Sequence, residues 1–495
     1  MATTIKKTEI QDPLSLEANS KEANSKKRRN GKVPVQGQEE RKKTVNHRLT
    51  YEKPLITMHS LGATNKYTGR ALSSITCPEI DGVNVARLVS KFGSPLYVVS
   101  EENLRSKYKE FIQALRSLYP ESYIAYSYKT NYLSGICSIL HQEGAWAEVV
   151  SGLEYEMALE MGIDPAKIVF NGTHKTSDDL IRAIKGNSML HIDSFNEIYQ
   201  LESLAISKGR PANVAIRVNM NVGYPPWNKF GFNLESGQAF EACRRIVSSG
   251  SLRLNGLHCH VGTYIADSGL YHQAITKLID FALKLEKDLN IQIEYLDLGG
   301  GYASANTLHS QFLSGAAIIP TLEQYANALC QPLRKRAGEF KRKPRLILEP
   351  GRALVDEAVS LVTTVVATKR FADGRKAIII DAGVNILPTA YWFKHEIAST
   401  QDIGSPLETV NVYGPLCMQI DVIRTEVRLP PFQKGHVLVI KNVGAYNITQ
   451  SMQFIYARPA VVLIHNGKAD YLRLPESAKD FRHLEVIPDH LQVKK

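Results

Sequence analysis

The chain has no apolar run long enough to span a bilayer, and its first residues lack the apolar stretch that follows the basic start of a secretory leader. No membrane partner is expected, and a cytoplasmic location is. Cysteine is sparse: six in 495 residues (Cys77, Cys137, Cys243, Cys259, Cys330 and Cys417), without the tight spacing of a disulfide framework or a structural zinc site. Reduced thiols follow. Acidic residues are outnumbered, 49 against 60 Lys and Arg, for a formal charge of +11. That excess is concentrated at one end, because residues 1–53 hold thirteen Lys/Arg against seven Asp/Glu, leaving +5 for the rest; a solvated tail is expected ahead of a basic anchor for nucleic acid or an acidic partner. The same segment has almost no apolar periodicity, so residues 1–54 read as a disordered, solvated basic tail.

What is present is ordinary globular texture, 44% hydrophobic and 22% charged, in a chain long enough for two cores. From about residue 90 to 355, eight short β-branched runs recur: 123–128, 146–150, 167–171, 189–193, 213–219, 255–261, 293–298 and 345–349. Amphipathic stretches such as 104–118, 177–184, 195–207 and 270–289 lie between them, as βα crossovers require. Eight units predict an α/β fold, a closed (β/α)8 TIM-like barrel, with an open doubly wound sheet as the alternative. Beyond Arg352 the pattern becomes alternating and valine-rich (359–368, 377–381, 437–441, 460–464), which predicts a C-terminal antiparallel β domain, a sandwich or barrel. The expected division is a tail over 1–54, N-terminal strands joining the β domain over 55–90, the barrel over 91–355, and the β domain over 356–495.

Barrel active sites gather at the C-terminal strand ends, so the residues just past each run matter most. The first run ends at Lys129, whose amine would gain nucleophilicity if partial desolvation lowered its pKa. Alone it would be an ordinary solvated lysine. The sixth ends in His258, Cys259, His260, Val261, Gly262 and Thr263, an imidazole able to stack on a flat ring and a hydroxyl able to bind phosphate. Alternation puts only the two histidines on one face, with no third ligand nearby in sequence, so no metal is expected. The seventh ends in Gly299, Gly300 and Gly301, where backbone N–H groups could approach an anion, although three glycines also suit a plain turn. The eighth ends in Glu349, Pro350, Gly351 and Arg352, a carboxylate that could hold a pyridine nitrogen protonated or simply pair with the arginine.

Lysine, His-x-His, Gly-Gly-Gly and Glu-Pro-Gly-Arg in this order at four strand ends resemble the fold-type III decarboxylases that use pyridoxal 5′-phosphate (PLP), diaminopimelate decarboxylase most closely and ornithine decarboxylase more distantly. The likeness runs from residues 94–97 almost to the C-terminus, through Val150-Ser151-Gly152, Asp381-Ala382-Gly383, Gly414-Pro415-Leu416-Cys417 and Gly444-Ala445-Tyr446. It implies that Lys129 binds the cofactor covalently, Glu349 holds the pyridinium and His260 stacks on the ring, while Gly300, Gly301, Arg352, Thr263 and Tyr446 surround the phosphate. It further implies that Cys417 reaches the site of a second copy as the acid near Cα, so the partners are an amino-acid substrate and a second subunit in a homodimer with shared sites.

The chain departs from that family where the substrate's far end would lie. Diaminopimelate decarboxylases carry Cys-Glu-Ser-x-Asp, the glutamate gripping the distal amine, where this chain has Cys417, Met418, Gln419, Ile420 and Asp421. The arginine expected after Asp-Ala-Gly-x-Asn is missing from the shorter 384–390 segment. The acidic residues that serve ornithine and lysine decarboxylases fall at Ala382 and Met418. With Met418 and Asp421 as the substrate-side residues, the expected reaction is decarboxylation of a larger or less cationic amino acid in specialised metabolism, such as siderophore or antibiotic synthesis. Decarboxylation of meso-diaminopimelate, racemisation on the same barrel, and cofactor binding without catalysis are the alternatives.

Overall fold

Every one of the eight runs forms a strand, and together they close on themselves. In the computed structural model, which describes residues 75–223, 227–403 and 407–492, the strands are Ser122–Ser127, Trp146–Val149, Ile168–Phe170, Met189–Ile192, Ala212–Asn219, Leu252–Cys259, Tyr295–Asp297 and Arg345–Leu348. Neighbours pair in parallel and in chain order, and Leu346 of the last lies opposite Ser122 of the first, so the ring has no open edge. The basic tail, and most of the segment expected to add N-terminal strands, lie outside the described residues.

The crossovers follow from local sequence. Glu101–Leu118 is capped by the Ser100 hydroxyl, which accepts from the Asn103 N–H, and it buries Leu104, Tyr108, Phe111 and Leu115 at helical spacing. Ser177–Gly186, Phe195–Lys208 and Ser268–Asp288 are the other anticipated helices. Ser134–Gln142, Gly152–Glu160, Gln238–Ser249 and Leu322–Arg336 complete the set. Among the described residues no helix is long and apolar enough to cross a membrane.

Within the ring, Ala125, Trp146, Val169, Met189, Ala215, Tyr295 and Ile347 form an apolar plug separate from the main core between strands and helices. One residue from nearly every strand contributes, and that plug is the floor on which the polar residues of the next inward layer stand.

The second sheet runs in the order Val422–Leu429, Glu408–Tyr413, Lys376–Ile380, Val359–Arg370, Leu96–Ser100, Ala460–His465, Lys468–Arg473. Val437–Ile440 joins it through Val359–Arg370 and carries Ile397–Ser399. Two findings correct the sequence reading. The sheet is mixed, because Lys376–Ile380 with Glu408–Tyr413, and Leu96–Ser100 with Ala460–His465, are parallel pairs. And the N-terminal strand at its centre, Leu96–Ser100, lies beyond residue 91, where the barrel was expected to begin. Five buried residues followed directly by an amphipathic helix look like a barrel unit, yet full burial suits a central strand of the second sheet equally well. Upstream, Thr76 bridges Ser399, and Val85–Phe92 packs Val85, Leu88 and Phe92 against the sheet.

Candidate active site

Two residues beyond each plug residue along its strand, the inward side chain is polar. This period-two step yields Glu148, Asn171, His191, Arg217, Asp297 and Glu349, and Lys129 stands two past Ser127 in the turn Tyr128–Thr130. Lys129 Nζ lies 2.5 Å from Glu148 Oε2. Asn171 Nδ2 donates to Glu148 Oε1 at 3.0 Å and to Glu349 Oε1 at 2.6 Å. A continuous polar line thus joins the amine, through the second and third strands, to the carboxylate that follows the last strand.

Burial by itself would depress the Lys129 ammonium, but the facing carboxylates of Glu148 and Glu349 outweigh it and raise its pKa. The expected lowering is therefore reversed, because the partner comes from the neighbouring strand and no sequence spacing announces it. Asp297 behaves oppositely: burial, reinforced by the charge of Glu349, pushes its carboxyl well up, and it accepts the Gly299 N–H at 2.8 Å.

Burial also drives His191, His258 and His260 well below the usual imidazole range, so all three are neutral. His191 and His258 stack at 4.8 Å, and His191 Nε2 meets the Tyr295 hydroxyl at 3.1 Å. His258 Nε2 is 3.5 Å from Glu349 Oε2. Donor atoms of His191, His258 and Glu349 lie within 4.8 Å of one another, a grouping from three strands that the spacing of His258 and His260 did not reveal. His260 faces another way: its Nδ1 accepts the Gly300 N–H at 3.0 Å.

A cavity of about 470 Å³ opens above this layer, lined by Lys129, Glu148, Asn171, His258, His260 and Glu349, with Arg217, Trp227, Phe230 and His174 on its walls. Arg217 lies over the Phe230 ring at 4.2 Å, and its guanidinium has no hydrogen-bond or ion-pair partner among the described residues. Burial lowers its pKa against the pull of Asp193 and Glu349. A larger hollow of about 600 Å³ lies by Arg458, Arg473 and Glu476, but both arginines are already spent on that glutamate.

Of the residues singled out in sequence, Lys129, His260 and Glu349 meet in this cavity. The glycine turn stands against it. A Cβ on Gly300 would sit 2.5 Å from the Glu349 carbonyl oxygen, and one on Gly301, at φ 96°, would sit 2.3 Å from that of Gly262. The turn needs glycine for close backbone packing of three loops, beyond any anion it could hold. Tyr446 donates its N–H to the Thr130 carbonyl at 2.8 Å, and Arg352 stacks on its ring at 5.2 Å while pairing with Asp356 at 3.3 Å. Thr263 is exposed and does not line the cavity. Cys417 is exposed and Met418 half-buried. Asp421 is buried, accepting N–H groups of Val384 at 2.8 Å and Leu416 at 2.7 Å, so its carboxylate pins the chain's own turn and it does not line the cavity. Glu148, Asn171, Arg217 and Trp227 escaped sequence reading, although the period-two step from the plug would have found the first three.

These residues fit a flat, phosphorylated pyridine aldehyde. They offer an amine for the aldehyde carbon, a carboxylate for the ring nitrogen, a neutral imidazole for the ring face and a partnerless guanidinium in a cavity of matching size. Residues 101–356 match the family described as pyridoxal-dependent decarboxylase, pyridoxal binding domain. The sequence is 33% identical to the diaminopimelate decarboxylase of Methanocaldococcus jannaschii, over 83% of this chain and 95% of that one. The M. jannaschii enzyme in co-complex with L-lysine superposes with a TM-score of 0.77 at 32% identity, covering 85% of this chain and 99% of that one. Diaminopimelate decarboxylase from Helicobacter pylori complexed with L-lysine gives 0.72 at 26% identity, over 81% and 99%.

Proposed function

Given that the chain belongs to the pyridoxal-dependent decarboxylases, with PLP as its cofactor, we propose that its substrate is meso-diaminopimelate and its product lysine. Family membership sets aside the racemase and storage readings. The observation that carries the proposal is 33% identity across 95% of a diaminopimelate decarboxylase. Lysine bound to two structural relatives supports it, lysine being diaminopimelate less one carboxylate. The larger or less cationic substrate expected from the altered 417–421 and 384–390 segments takes second place, since the relatives point elsewhere.

When bound, PLP supplies an electron sink for the pair left on Cα as CO2 departs. The remaining work falls to the chain's own groups. Lys129 would carry the cofactor, and Glu148, 2.5 Å from Nζ, orients the amine. Glu349, fixed by Asn171, would hold the ring nitrogen, where a carboxylate favours the protonated form. His260 would pack on the ring, its imidazole oriented by the Gly300 N–H and kept uncharged by burial. Gly300, Gly301, Arg352 and Tyr446 would hold the phosphate, whereas Thr263, exposed and outside the cavity lining, has no support for that role. Cys417, exposed on its own subunit, is the acid delivered to Cα in a second copy.

Purified protein loaded with PLP and given meso-diaminopimelate should release CO2 and lysine in equal amounts, read by mass spectrometry. Faster turnover of another amino acid from a panel, with no lysine formed, would replace this substrate.

A further inference from the structure

We infer that Trp227 grips the distal ammonium of the substrate through its indole face, in place of a carboxylate. The inference rests on the diaminopimelate reading, which supplies an amine at the far end of the substrate.

Both acids that line the cavity are engaged. Glu148 holds Lys129 and accepts from Asn171, and Glu349 accepts from the same amide beside His258. The 417–421 motif offers none from either copy of the chain, since Met418 is apolar and Asp421 is buried on the N–H groups of Val384 and Leu416. An ammonium entering this cavity meets no uncommitted carboxylate among the described residues, so an aromatic face is the cation-binding surface left. Phe230 is taken, with Arg217 at 4.2 Å and Lys229 at 5.3 Å over its ring. Trp227 is not: it lines the cavity 5.4 Å from the His260 ring, and no cation of the described residues lies over it. Indole is the best of the natural rings for an ammonium, and the attraction grows as water is excluded.

The test compares L-lysine with L-norleucine, which has the same carbon chain and no distal amine, as ligands of the PLP-loaded enzyme, followed by the change in cofactor absorbance on titration. Wild type should prefer lysine, and Trp227→Leu should lose roughly fivefold or more of that preference by weakening lysine while leaving norleucine unchanged. Trp227→Phe, a smaller ring that keeps its face, should fall between the two, and it carries the comparison should the leucine variant fold poorly. Equal weakening of both ligands would make Trp227 a packing residue and overturn the inference, as would a lysine preference that survives in Trp227→Leu. Turnover of meso-diaminopimelate by wild type is read separately. If it fails while the lysine preference still depends on Trp227, the substrate proposal falls and this one stands.

Discussion

Glu154 stands in the first turn of the helix Gly152–Glu160, and burial pushes its carboxyl up to about 7 against the Val150 N–H that it accepts. Because the folded chain holds this proton more tightly than the unfolded chain does, the group's contribution is fully present below its unfolded value near 4.5 and is lost as pH rises through about 7. Glu154→Gln keeps the shape and an acceptor but never ionises. Its stability should match wild type near pH 4.5 and exceed it at pH 8 by on the order of 2 kcal/mol, visible in urea melts at the two pH values. A constant difference across that range would refute the assignment. The same cross-strand electrostatics limited what could be read at Lys129. Its position at a strand end was legible, but the sign of its pKa shift depends on Glu148, nineteen residues on, which the parallel pairing of the first two barrel strands brings to 2.5 Å.

The turn Gly299–Gly300–Gly301 shows what an element demands of its residues. Gly301 sits at φ 96°, where a side chain is strained, and a Cβ there would press on the Gly262 carbonyl at 2.3 Å. Gly301→Ala should therefore cost about 1–3 kcal/mol of stability and shift the turn bearing His260. The checks are a lowered urea midpoint and faster loss of cofactor absorbance during dialysis; unchanged values for both would show that the turn yields freely. Elements of strong periodicity were legible in sequence: all eight barrel strands lie where apolar runs met helical stretches. Leu96–Ser100 was misplaced because a fully buried strand carries no alternation to say which sheet it joins. Parallel pairing inside the second sheet was hidden for a related reason, since valine-rich strands look alike in either direction.

At the scale of the whole molecule, Cys417 is absent from the cavity lining among the described residues and is exposed on the surface. Large apolar side chains stay open beside it in sequence and beyond: Ile420, Tyr391, Trp392, Met452, Phe454, Ile455 and Tyr456. Surface of this kind is normally covered by another chain. The proposed homodimer would bury such surface and carry Cys417 to the second site, a contribution that no single-chain pattern discloses beyond a family likeness. Complementation tests it. Lys129→Ala removes the proposed cofactor lysine and Cys417→Ala the proposed acid, so each homodimer should be nearly inactive. If sites are shared, a dimer formed from one of each places both defects in one site and leaves the other whole. Random reassociation after mixing makes half the dimers mixed, so activity should recover to about a quarter of wild type. If Cys417 served only its own chain, every site in the mixture would carry one defect and nothing would return.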